Sequence, residues 1–338
     1  MSLFRILSID GGGIRGIIPA TLLVYLEECL QKNSSNKDAR IADYFDLIAG
    51  TSTGGILTAL YLTPDENNRP RYTAQNALDF YLNYGQTIFY KSFWHTLISL
   101  NGLLGAKYSP KHLNELLQNI FGSLRLSEFL KPCLIPSFDI KNNRALFFNQ
   151  TDCLFYNKDD FFVRHIIRAT TAAPTYFPVA QINSCENTSF SLIDGGVFAN
   201  NPALCAYTEC QKLTNHYLSP NDILILSLGT GVSHKNLYTR FLNSGGVTQW
   251  AFPLFDILLS SNAEIVHHKL KVLYDDDPRI DDNYLRIQTH FDSYNVKEFS
   301  LDSTSSSNIR ALHALAELVT NDYKSKIDDF SKRLISGK

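Results

Sequence analysis

Three short glycine-rich stretches carry the residue types from which an acyl-transfer reaction could be assembled: Asp10-Gly11-Gly12-Gly13-Ile14-Arg15-Gly16, Gly50-Thr51-Ser52-Thr53-Gly54-Gly55 and Asp194-Gly195-Gly196. The middle one is a G-x-S-x-G pentapeptide with one further glycine. Leu47-Ile48-Ala49 before it reads as the end of a buried strand, and Ile56, Leu57 and Leu60 after it recur at helical spacing. Ser52 therefore falls on a sharp strand-to-helix turn, a nucleophile elbow that holds its hydroxyl out above a helix N-terminus. Gly50 and Gly54 suit that turn because backbone runs against backbone there and a Cβ would clash. A serine so placed attacks acyl carbonyls when a neighbouring group takes its proton.

The first stretch follows an apolar run and opens a helix, so it presents successive N–H groups at a helix N-terminus, where developing negative charge is welcome. Beside an elbow serine that charge would be the oxyanion of a tetrahedral intermediate. The same stretch also matches G-x-G-x-x-G at Gly11, Gly13 and Gly16, the fingerprint of a nucleotide-binding oxidoreductase. That alternative needs an acidic residue at the end of a second strand about 20 residues on. Glu27 and Glu28 stand near that distance but inside a predicted helix. The third stretch delivers a carboxylate into a glycine turn at a strand end.

The elements that must position these turns are legible in part. Leu3–Ile9 reads as a first strand, and Pro19 opens a helix striped by Ile18, Leu22, Leu26 and Leu30. Phe190–Ile193 leads into Asp194, and the continuous apolar run Ile223–Leu228 reads as a strand buried on both faces, which predicts a largely parallel sheet covered by helices. In such sheets ligands sit beyond the carboxyl ends of the strands, so the three turns are expected to converge there. Further expectations are a helix over Thr73–Asn83, a helix capped by Ser109-Pro110, a hairpin of Cys133–Ile140 with Arg144–Phe148, and a helix capped by Asp160 and stopped by Pro174. Asn183–Ser189 reads as a polar loop, Tyr284–Gln288 as a late strand and 308–334 as a terminal helix. The aromatic stretch Ile88–Tyr108, broken by Gly102 and Gly105, reads as core or as a flap over an acyl pocket.

With 338 residues, 44% of them hydrophobic, the chain is able to bury a large core, and no composition break or linker divides it. A net charge of −2 with scattered charges excludes a nucleic-acid footprint and a polybasic membrane patch. The six cysteines lack metal-binding spacing, and the aspartates at 275–277, 281 and 282 lack the calcium-loop pattern. No apolar run approaches the length of a membrane span and no leader pattern precedes the first strand, so the expectation is a chain that is cytoplasmic or exported without a cleavable signal peptide, with peripheral membrane contact. None of the nine histidines lies in a glycine turn.

Taken in order, Asp10–Gly16, Gly50–Gly54 and Asp194–Gly196 resemble the motifs of the patatin-like phospholipase family. Ala42-Asp43-Tyr44-Phe45-Asp46, Ser137-Phe138-Asp139-Ile140-Lys141, Ala172–Pro178 and Leu226–Gly231 are also similar to segments of plant patatins. The resemblance implies a three-layer α/β/α sandwich around a mostly parallel central sheet, one domain over 1–338, and a lipid acyl hydrolase using a Ser-Asp dyad. It implies Ser52 as nucleophile, Asp194 as base, Gly11, Gly12 and Gly13 as oxyanion-hole glycines and Arg15 as the basic residue beside that hole. It implies no cofactor or metal, and a lipid substrate met at a membrane or micelle surface. Two departures stand out: the secretory signal usual in storage patatins is missing, and Gly196 stands where those proteins often have alanine. A non-catalytic storage protein of the same fold is the remaining alternative.

Overall fold

The computed structural model describes residues 3–89, 105–156, 159–215, 218–232, 247–275, 283–294 and 299–336. Its strands are β1 (Phe4–Ile9), β2 (Leu47–Gly50), β3 (Cys133–Asp139), β4 (Arg144–Phe148), β5 (Ala180–Asn183), β6 (Ser189–Asp194), β7 (Ile223–Leu228) and β8 (Tyr284–Ile287). They form one 8-stranded sheet in the order β5-β6-β3-β2-β1-β7-β8, with β4 paired to β3. The helices are α1 (Ile17–Asn33), α2 (Thr53–Leu62), α3 (Ala74–Ile88), α4 (Lys111–Phe121), α5 (Gln150–Phe155), α6 (Val163–Thr170), α7 (Gly196–Ala199), α8 (Ala203–Leu213), α9 (Val247–Asp275) and α10 (Ser306–Ser336).

The strict alternation of side chains along a strand sorts the core into two layers. Leu7, Ile9, Ile48, Leu224, Leu226 and Leu228 face the cluster built with α1, α2, α3, α4, α6 and α10. Ile6, Leu47, Ala49, Ile223 and Ile225 face the smaller cluster with α8 and α9. All six residues of β7 and all four of β2 are buried, as expected for strands covered on both sides. This is the three-layer sandwich.

The sheet is mostly parallel, as expected, with an antiparallel flank that makes it mixed. β3, β2, β1, β7 and β8 run parallel, whereas β4 and β6 pair antiparallel with β3, and β5 antiparallel with β6. The physical reason is connection length: the few residues between β3 and β4, and between β5 and β6, allow only a reversal of direction, since a parallel return needs a crossover of a dozen residues or more. Ala180–Asn183, of which only Asn183 is read from the sequence, and as loop, is the strand that completes the second reversal, and Ser189 at the other end of that loop already belongs to β6.

Consequently Asp194 does not reach Ser52 by sharing a carboxyl edge with it. β3 is offset forward along the sheet, pairing Cys133 with Ile48 and Leu134 with Ala49, so Ser137 stands level with the position of Ser52. The partner of Ser137 on β6 is Asp194. Ile48 N–H donates to Pro132 O and Ile140 N–H to Ser191 O; these even-numbered positions lie on one edge of β3, which β2 and β6 therefore use in succession. Pro136, without an N–H to leave unpaired, sits in the gap between them.

Smaller differences have local causes. α1 begins at Ile17, straight out of a 3-10 turn over Gly13–Gly16, so Pro19 lies within its first turn. α3 runs on to Ile88, beyond Asn83. Asp160 is not a helix cap: its carboxylate accepts from Ser127 N–H, Ser127 O–H and Phe161 N–H, and α6 starts only at Val163. Of the stretch 88–108, residues 90–104 lie outside the described residues. No helix among the described residues is long and apolar enough to cross a membrane.

The glycine loop after β1 is anchored by a buried ion pair. Arg286 on β8 grips Asp10 with two parallel bonds, Nη1 to Oδ1 at 2.8 Å and Nη2 to Oδ2 at 2.6 Å, and its Nη1 also donates to Ser227 Oγ at 2.9 Å. Removing one partner strands the other's charge in the core, so Arg286→Met is expected to cost about 3–5 kcal/mol of folding stability. Adding Asp10→Asn should restore part of it. Urea unfolding of the single and double variants checks both, and an unchanged midpoint for Arg286→Met would mean that the pair contributes nothing.

Candidate active site

The end of β2 turns into α2 through Ser52, whose backbone stands at φ 55, ψ −116, in a region that a non-glycine residue occupies only under strain. Several bonds over-determine it. Ser52 N–H donates to Thr170 Oγ1 at 3.0 Å, and that hydroxyl donates to Pro136 O at 2.6 Å. Thr51 Oγ1 donates to Ala199 O at 2.6 Å, and Gly54 N–H to Thr51 O at 2.8 Å. A Cβ on Gly54 would lie 2.2 Å from Ile9 O, and one on Gly50 2.1 Å from Gly54 O. The elbow is thus closed onto β1 and onto itself.

Asp194 ends β6 with 2% of its surface exposed. Its Oδ1 accepts Gly196 N–H at 2.8 Å, and the Ser52 hydroxyl lies beside the carboxylate, near enough to act on its pKa. Burial pushes its pKa up to about 7, against the Ser52 hydroxyl and the Gly196 N–H, which hold it down. Gly195 packs against Pro136 O, where a Cβ would stand 2.4 Å away, and an alanine at Gly196 would have to displace Leu259.

Gly11, Gly12 and Gly13 line the same cavity as Ser52 and Asp194. Gly11 N–H donates to Asn200 O at 3.1 Å, Thr230 O–H to Gly11 O at 2.7 Å, and Ile14 N–H to Leu301 O at 2.9 Å. Gly13 has φ +59 and its missing Cβ would meet Leu301 O at 2.1 Å, so only glycine fits. The N–H groups of Gly12 and Gly13 donate to no described protein group. Arg15 stands outside the cavity lining, half-buried, with Nε directed to Gly12 O at 3.4 Å and with Asp256 and Tyr176 as electrostatic neighbours. It fastens the loop from behind.

The cavity lies between the glycine loop, the elbow and apolar walls that include Ile56, Phe89, Phe177, Phe255 and Leu259. It is a largely apolar slot, with the polar groups of the glycine loop, Ser52 and Asp194 in its lining. No described histidine lines it; His95, His216 and His234 lie outside the described residues. Glu27, the acidic candidate of the dinucleotide alternative, is buried within α1 and accepts the N–H groups of Ile41 at 3.1 Å and Ala74 at 2.9 Å. It secures the start of α3 and is fully employed there.

Sequence reasoning missed Thr170, Asn200, Thr230 and Arg286. Asn200 and Asn201 carried a signal, two amide side chains packed between the aspartate turn and Pro202. Asn200 N–H bonds Asn262 Oδ1 at 2.9 Å, and Asn201 Oδ1 accepts Ala203 N–H at 3.0 Å. Thr170 and Arg286 gave none, since their partners lie 118 and 276 residues away.

A model of the patatin-like phospholipase family matches residues 7–207. Patatin-like protein 2 of Oryza sativa subsp. indica is 35% identical over 358 residues, covering 97% of this chain and 86% of its own length. Patatin-like protein 1 of Arabidopsis thaliana is 36% identical, with 95% and 82% covered. A chain named probable inactive patatin-3-Kuras 1, of Solanum tuberosum, is 37% identical, with 84% and 78% covered. That last name makes turnover something to be argued from this chain's own site. With more than half its length matched by the family model and relatives above 30% identity along most of it, the chain belongs to the patatin-like phospholipase family.

Proposed function

We propose that this chain is a serine lipid acyl hydrolase of the phospholipase A or lysophospholipase type, in which Ser52 and Asp194 act as a dyad through an acyl-enzyme intermediate. The observation that carries the reading is a buried carboxylate, raised to about 7, beside an elbow serine in the lining of a largely apolar slot. An aspartate at its ordinary pKa of about 3.9 is a poor base, and burial brings its basicity close to neutral pH, where a general base is most effective.

Ser52 Oγ attacks the ester carbonyl while its proton passes to Asp194. The carbonyl electron pair moves onto oxygen, which receives the free N–H groups of Gly12 and Gly13. Collapse of the intermediate expels the lysolipid alkoxide, which takes the proton from Asp194. Water, deprotonated by Asp194, then attacks the acyl-serine, and the fatty acid leaves as Ser52 regains its proton. The apolar walls suit an acyl chain drawn by peripheral contact from a membrane or micelle surface.

Ser52→Ala is expected to lower turnover of p-nitrophenyl esters on the order of a million-fold with the fold intact; near-parental rates in the folded variant would sink the assignment. Because Asp194 must be ionised to accept a proton, the rate should rise with pH along one acid limb with a midpoint of about 7. A limb near 4 would contradict it.

The same shift has a stability sign. Between about pH 4 and about pH 7 the folded chain keeps a proton that the unfolded chain has released, so the contribution of Asp194 is fully present below its unfolded pKa and is lost as pH rises through about 7. Asp194→Asn should therefore be nearly inactive yet more stable than the parent at pH 8, by up to about 4 kcal/mol, with the margin shrinking towards pH 4. Melting curves at the two pH values read it directly; an equal margin at both would mean that the carboxyl is not perturbed.

A further inference from the structure

Asn200 occupies a place that the dyad alone does not explain. It ends α7, six residues after Asp194, and its backbone is fixed at both ends: N–H to Asn262 Oδ1 at 2.9 Å and C=O from Gly11 N–H at 3.1 Å. Only 5% of its surface is exposed, yet it lines the cavity with Ser52, Asp194 and the glycine loop. The place a Gly11 Cβ would occupy is 2.4 Å from Asn200 Oδ1 and 3.3 Å from Ser52 Cβ, so the amide and the serine flank the same glycine.

Asn200 Oδ1 is buried without a hydrogen-bond donor, wedged between Gly11 and Gly196. Neither N–H of its Nδ2 finds an acceptor among the described residues, and the partners that act on Asp194 are Ser52 and Gly196, so the amide does not steer the base. A buried acceptor left without a donor is costly, and groups left so in native structures call for a functional account.

We infer that Asn200 is a further catalytic residue, a side-chain donor whose Nδ2–H bonds the carbonyl oxygen of the ester as it becomes an oxyanion. The inference rests on the dyad reading. As the Ser52 Oγ–C bond forms and the proton passes to Asp194, the π pair of the carbonyl settles on oxygen and strengthens the bond from Asn200; no atom is exchanged with the amide. A donor held on a doubly anchored backbone needs no reorganisation when the charge develops, which is the condition under which such a donor matters most.

The test compares Asn200→Ala and Asn200→Leu with the parent on a soluble p-nitrophenyl ester. Loss of one oxyanion donor lowers kcat by about 10²–10³, so both variants should fall by that factor with KM within threefold and melting temperature nearly unchanged. Leu is the decisive variant, since it keeps roughly the bulk of the side chain, removes the donor and adds no charge beside Asp194. If Asn200→Leu retains parental kcat, or if kcat of the folded fraction is unchanged while the melting temperature drops, the residue is structural and the inference is overturned. A fluorophosphonate probe separates the two levels. The parent should label rapidly at Ser52 and the Asn200 variants slowly but to completion at the same residue. Absence of label at Ser52 in the parent would remove the dyad and this inference together, whereas parental labelling rates and turnover in both variants would remove the inference alone.

Discussion

A carboxylate kept out of water beside a serine hydroxyl is the interaction on which the rest of this structure depends. Left to itself a buried Asp194 would hold its proton strongly, and one hydroxyl and one backbone N–H pull it back to about 7. Both donors must stay in place for that balance to hold. The Ser52 donor depends on a strained backbone, and the Gly196 donor on a turn packed tightly against Pro136 and Leu259. Strain of this kind persists only where its surroundings over-determine it.

Those surroundings converge on few atoms. One hydroxyl, that of Thr170, receives the Ser52 N–H and donates to Pro136 O, joining the elbow to β3 and to the end of α6. The segment Ala199–Asn201 does the same on the opposite side: Ala199 O takes the Thr51 hydroxyl, Asn200 O takes Gly11 N–H, and Asn201 Oδ1 takes Ala203 N–H. The glycine loop is held from a third direction by Asp10 with Arg286. Elbow, loop and aspartate turn therefore form one hydrogen-bonded unit, which suits a site proposed to stabilise charge without rearranging.

Much of this was legible in the chain because glycine turns at the ends of apolar runs mark places where backbone must approach backbone, and Gly54 against Ile9 O bears that out. The three turns and their neighbouring strands and helices were therefore found from local pattern. What stayed hidden was relational. The direction of β6 is set by a reversal through β5, a four-residue strand whose alternation is too brief to read. The partners of Thr170 and Arg286 are chosen by the fold rather than by spacing. The cap assigned to Asp160 failed because a carboxylate at a bend had closer N–H and O–H donors in Ser127 than any helix could offer.

The forward offset of β3 has a consequence for how such a site tolerates change. Because Asp194 is placed against Ser137 by ladder register, lengthening β3 by two residues would carry the carboxylate roughly 6–7 Å along the sheet at about 3.3 Å per residue. Insertions in the connections at 63–73 or 140–143 leave that register untouched. Natural drift in length should therefore accumulate in those loops while the span from Cys133 to Ser137 stays constant. A designer grafting this dyad onto another sheet would have to copy a strand offset before copying any side chain.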